Sequence, residues 1–141
     1  MTNALFPEAL DGLLSGAIDL DTGVLKASLV RGYTYDATDV TVADVVATGT
    51  LNGTSAALGS VTITAGVVDA NNTSIATTAS ASNHALIIFQ ASAVTGGADV
   101  AQSSQRLLAY LDTGTDLPIQ PGTGTVAVTW DDGASKIFKI G

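Results

Sequence analysis

Apolar residues recur along this chain with two different periods. From Leu5 to Gly16 they fall at Leu5, Ala9, Leu10, Leu13 and Leu14, close to the 3.6-residue repeat of one helix face. Pro7 stands where a first helical turn tolerates proline, Gly12 weakens the run, and Gly16 is placed to end it. The spacing predicts one short N-terminal helix over 5–16. Beyond it the period drops to two. Leu25, Ala27 and Leu29 alternate with Lys26 and Ser28, and Val61, Ile63 and Ala65 alternate with Ser60, Thr62 and Thr64. Near the C-terminus Val126, Val128 and Trp130 alternate with Thr125, Ala127 and Thr129. There Asp131-Asp132-Gly133 supplies turn chemistry, so Ser135 to Ile140 is expected to return as the second strand of a hairpin.

Val40 to Thr50, Ala85 to Ala91 and Leu107 to Asp112 are further strand candidates. Turn signals separate them at Asn52-Gly53, Asn71-Asn72, Gly96-Gly97, Gly114 and Pro121-Gly122. Ala91 to Ser104, with paired glycines and no apolar period, reads as an exposed loop. The fold expected is mainly β: a single-domain antiparallel β-sandwich or partly open barrel. It would have seven to eight short strands over 23–141, preceded by the helix. At 141 residues the chain can bury a real core as one domain.

Composition changes what that fold is expected to do. Charged residues make up 13% of the chain against 46% hydrophobic ones, and the remaining polarity is mostly Thr, Ser and Asn. Such a surface loses its water cheaply and suits burial against another protein, although Thr and Val also simply report β-structure. Thirteen acids against five bases give a net charge of −8, which repels phosphate backbones and anionic membrane surfaces. Neither nucleic acid nor a membrane is an expected partner. All the acids but Glu8 are aspartates, residues that favour turns and caps. No cysteine is present, so disulfides and thiolate metal sites are excluded. The opening residues carry no basic signal region, and the longest apolar run considered, Ala85 to Phe89, is far short of a membrane span. A cytoplasmic place of synthesis and assembly is expected.

No catalytic constellation emerges. Asp112-Thr113-Gly114 resembles the active-site turn of aspartic proteases, and Asp21-Thr22-Gly23 repeats it. That chemistry needs two carboxylates about 3 Å apart, from two lobes or two subunits. The chain is too short for two lobes, and the 27 residues after Gly114 hold neither a flap nor the closing segment of a dimeric enzyme. A strand ending in a turn explains the motif. His84 is the only histidine, so one chain offers no two-histidine ligand set, and only a three-fold axis could gather several copies of it. Asp19 with Asp21, Asp36 with Asp39, and Asp131 with Asp132 are incomplete as calcium loops; Val30 stands where the closing glutamate of the first would fall. No catalytic residue, metal site or cofactor is expected.

Two stretches carry a resemblance. One runs from Met1-Thr2-Asn3-Ala4-Leu5 through the helix end to Ile18-Asp19 and the strand Val24 to Val30. The other joins Leu108-Ala109-Tyr110-Leu111-Asp112, Leu117-Pro118-Ile119 and the block from Val128 to Lys139. Together, over about half the chain, they resemble a family of small virion proteins of tailed bacteriophages; Leu20 departs from it, standing where family members tend to carry an aromatic. The resemblance implies a capsid decoration (cement) protein on the virion surface. It would be assembled in the host cytoplasm, seated on the major capsid protein and trimeric. A tail or head–tail connector component is the alternative, and a receptor- or carbohydrate-binding β-module is the alternative of another class. Residues 1–7, uncharged until Glu8, are expected to form a docking arm, with Thr2, Asn3, Leu5, Phe6 and Pro7 at the interface.

Overall fold

A computed structural model describes residues 3–78, 84–114, 116–134 and 136–140. Among them are ten strands and two α-helices, all strand pairs antiparallel, in sheets that do not close into a barrel. The expected mainly β, sandwich-like architecture is present, with more strands and one more helix than the sequence pattern suggested.

The main sheet runs β1-β8-β7-β2-β3. Its strands are β1 (Ala4–Leu5), β2 (Val24–Arg31), β3 (Thr50–Thr54), β7 (Ala85–Ser92) and β8 (Arg106–Leu111). Every residue of β7 is buried, which is why Ala85 to Phe89 reads as an unbroken apolar run: a strand covered on both faces has no polar side to show. Its neighbour β2 also buries Ser28, whose hydroxyl meets that of Thr54 on β3 at 2.5 Å. The outer edge of β8 is closed by Phe6, Val40 and Val42, whose backbones bond to Leu108, Leu107 and Gln105.

Helix α1 (Pro7–Ser15) begins with Pro7 in its first turn and stops at Gly16, left-handed at φ +77°, whose N–H reaches the Leu13 carbonyl. Gly12 has a packing reason: a Cβ there would sit 2.7 Å from the Ile18 side chain. The helix rests on β8.

The second helix, α2 (Val42–Thr48), replaces the strand expected over Val40 to Thr50. Val42, Val45 and Val46 suggested β-structure, but the Asp44 carboxylate accepts the N–H groups of Thr41 (2.8 Å) and Val40 (3.1 Å) and starts a helix. Val42 and Val45, three apart, then share its buried face.

The expected C-terminal hairpin is also corrected. Strand β9 (Gly124–Val128) pairs with β6 (Thr73–Thr77), and β10 (Phe138–Lys139) pairs with β5 (Val67–Asp69). Side-chain burial outbids the local turn signal: Trp130 turns inward, its backbone N–H on the Asn72 side chain (2.9 Å) and its indole N–H on the Asn71 carbonyl (3.0 Å). The chain therefore crosses from one sheet to another over Asp131–Gly133. The three-stranded sheet is completed by β4 (Thr62–Thr64), joined to β5 through Ala65 and Gly66, both at positive φ as a tight hairpin requires.

Asn52-Gly53, expected as a turn, lies inside β3. Register shifts there, so that the two residues oppose Leu29 alone, a bulge. Gly53 takes φ +94°, and a Cβ on it would collide with the Ala76 carbonyl of β6. The bulge thus lets β6 come up against the main sheet. Of the loop expected over Ala91 to Ser104, Ala91 and Ser92 belong instead to buried β7, while 93–104 is largely exposed and ends in a 3-10 turn at Gln102–Ser104.

Candidate docking surface

Within the segment expected as an arm, residues 3–7 are anchored in the fold. Thr2 lies outside the described residues. Asn3 folds over the end of β8: its side-chain oxygen accepts the N–H groups of Asp112 (3.0 Å) and Thr113 (2.9 Å), and its amide donates to the Thr113 carbonyl (2.8 Å). Leu5 is half-buried in β1, and its carbonyl accepts the Tyr35 hydroxyl at 3.0 Å. Phe6 is fully buried, 5.1 Å from the Tyr35 ring, so it offers nothing to a partner in this fold. Pro7 is exposed at the start of α1. Of the expected interface residues, then, Asn3 and Pro7 present surface, while Phe6 belongs to the core.

The residues with chemical potential have structural employment. His84, buried where Ile119 pairs with it backbone to backbone, faces the Asn52 side-chain amide at 3.1 Å. Because Asn52 Oδ1 accepts the Thr78 N–H (3.1 Å), its amide nitrogen is the group turned to His84, which must accept through Nε2 as a neutral ring. Buried within its own subunit, His84 cannot be gathered on a three-fold axis. Asp112-Thr113-Gly114 is a turn held by Asn3. Strand register puts it at the opposite end of the main sheet from Asp21-Thr22-Gly23, so the two motifs do not form a carboxylate pair. Asp19 caps its own loop through the Asp21 and Thr22 N–H groups and the Thr22 hydroxyl, which lower its pKa, the hydroxyl most.

A hollow of about 260 Å³ collects Asp36, Asp39 and Asp44 beside Tyr33. Each carboxylate is engaged: Asp36 by the N–H and hydroxyl of Thr38, Asp39 by the Tyr33 hydroxyl (2.7 Å), and Asp44 at the head of α2. Hydrogen bonds hold Asp36 and Asp44 below the ordinary carboxylate range, and burial pushes the Tyr33 phenol upward. Among the described residues no group of three or more acidic or histidine side chains is placed to hold a metal, and no helix is long and apolar enough to cross a membrane.

What the surface does offer is uncharged strand edge and apolar side chain. All of β4 is exposed, with Ile63 at 48%, and Leu14 on α1 is 86% exposed. A cleft of about 770 Å³ opens where the main sheet meets the C-terminal segment, with Leu29, Leu86 and Leu111 among its apolar lining. Val126, Ala127, Val128 and Thr129 border it in unbroken succession. Side chains alternate between the faces of a strand, so four consecutive residues along one cleft place it beside the strand's hydrogen-bonding edge. Among the described residues β9 pairs with β6 alone, which leaves that edge open.

Sequence reasoning missed this cleft, because its walls come from segments far apart in the chain and meet only through the crossing from β9 to β10. No protein-family model matches the chain, and neither the curated proteins nor the solved structures yield a match.

Proposed function

We propose that this chain is a non-catalytic structural module that works by fitting against other proteins, and that its place is the outside of a tailed-phage capsid. There it decorates and stabilises the lattice of the major capsid protein, three copies associating as a trimer. The observation that carries the reading is the pair of open, uncharged strand edges, β4 and β9, lying near exposed Ile63 and the apolar cleft. Soluble proteins usually blunt such edges with charge or proline. The placement on a virion draws on the sequence resemblance. Many modest contacts repeated over a shell would stabilise it through avidity, without one tight interface.

Counting copies in purified particles by quantitative mass spectrometry tests this. A number near that of the capsid protein is expected; a dozen or fewer moves the chain to the tail or the head–tail connector. A carbohydrate-binding role fits the rings poorly. Of the seven aromatic residues only Tyr35 is not buried, and the Trp130 indole N–H is bound internally. Sugar platforms need exposed rings.

A further inference from the structure

We infer that the cleft along β9 is a strand-addition groove that takes an extended segment of a partner protein, apolar at alternate positions and flanked by lysine or arginine. The inference rests on the reading of the chain as a module that fits against other proteins, and is independent of its placement on a virion. Three observations carry it. The first is the open edge: Gly124-Thr125-Val126-Ala127-Val128 holds neither charge nor proline, and among the described residues it pairs on one side only. An extended chain laid there would satisfy the outward N–H and C=O groups. The second is the apolar lining, where the half-buried Leu111, Leu117 and Ile119 can receive side chains of the added strand. Edge β4 is as open but only three residues long, and does not border this cleft.

The third is charge, which chooses the occupant. Asp116 and Asp131 border the cleft, both exposed, with Lys136 as the one cation among its lining. That lysine is already shared between Asp69 (3.6 Å) and Asp132 (3.9 Å). The cleft is therefore acidic, on a chain whose net charge is −8. A basic segment is drawn in and an acidic one repelled. A second copy is a poor occupant for the same reason: it brings eight more negative charges, and its own Lys139 sits in β10, which is already paired.

The test uses the intact chain and four amidated peptides. The first is a run of valines alternating with threonines between two lysines. The second has glutamates in place of the lysines. The third is the lysine peptide N-methylated at alternate amides, and the fourth is a scrambled control. Amide hydrogen exchange over 124–128 is the readout. The lysine peptide is expected to slow exchange there, to bind at least about tenfold tighter than the glutamate peptide, and to lose binding on N-methylation. In the double variant Asp116→Lys, Asp131→Lys, both positions exposed, the preference between lysine and glutamate flanks should reverse. Equal binding of the two flanks overturns the basic partner, and undiminished binding of the N-methylated peptide overturns strand addition. Protection at β4 in place of β9 overturns the site, and so does no saturation by about 1 mM. Protection of β9 that grows with protein concentration alone assigns the edge to a second copy and overturns the inference. A copy count on particles can fail while peptide binding succeeds, and the reverse, so the two readings fail separately.

Discussion

At the scale of single residues, two polar side chains organise much of the local structure. The Asp44 carboxylate gathers the N–H groups of Val40 and Thr41 and the Thr41 hydroxyl, so it both starts α2 and fixes the chain entering it. Asp44→Ala should cost about 1 kcal/mol, the usual worth of a helix cap, and lower the melting temperature by roughly 3–5 °C in a calorimetric scan. The same bonds lower its pKa, as similar bonds do for Asp19 and Asp36. These carboxylates release their protons more readily folded than unfolded. Their contribution is complete above the unfolded value of 3.8 and disappears as pH falls through the lowered folded values. Urea titrations should thus show stability level above about pH 5 and falling below about pH 4, with a shallower fall in Asp44→Asn. Asn52 makes a second case, since it is buried and bonded to both the Thr78 N–H and His84. Asn52→Ala should lose about 2 kcal/mol in urea unfolding, because it removes a buried amide that serves both the Thr78 N–H and His84. A loss under about 0.5 kcal/mol would show that the site relaxes freely.

At the scale of elements, Gly53 is where the main sheet and β6 depend on one backbone position. Gly53→Ala forces a side chain onto φ +94° and into the Ala76 carbonyl, so it should destabilise by roughly 1–3 kcal/mol. It should also raise hydrogen exchange in β6 and β9 before it does so in β7. The same position shows why part of the fold was legible and part was not. Strands β2, β7 and β8 could be read because their apolar content is intrinsic to each segment. The helix over 7–15 could be read because proline, periodic leucines and Gly16 agree. Asn52-Gly53 misled because the dipeptide that favours a turn also suits a bulge, and only the partner strand decides between them. The valines of α2 spoke for a strand while Thr41 and Asp44 spoke for a helix start; the cap decided. Asp131-Asp132-Gly133 is sound turn chemistry, yet Trp130 and Phe138 are buried at different sites, so the strands flanking the turn have different partners.

At the scale of the whole molecule, charge and burial are kept apart. Eleven of the twelve aspartates lie in turns, caps and loops or at element ends, and Asp11 is exposed on α1, leaving a core of aliphatic and aromatic side chains spread over the main sheet. The scarcity of charge was legible in composition. The cleft itself was not, because no local pattern announces where two distant segments will leave an edge uncovered. It also sets the order in which the molecule should open. Strand β7 is buried at every residue and paired on both sides, so its amides can exchange only through global unfolding. Among the described residues strand β4 is exposed at every residue and paired on one side, and the 93–104 loop is tied down by the Lys26–Asp99 ion pair at 2.7 Å, the Thr95 hydroxyl on the Thr22 carbonyl and the Val100 N–H on the Ala91 carbonyl. Native-state exchange should therefore give β7 and its partners β2 and β8 the highest protection, falling together with urea at the global slope. Residues 62–64 and 93–104 should exchange with no urea dependence, and the edge amides of β9 should lie between these limits. If β9 proves as protected as β7 in the isolated chain, its edge is already covered in solution and is not open to a partner. If it matches β4, the groove is accessible without unfolding, as strand addition requires.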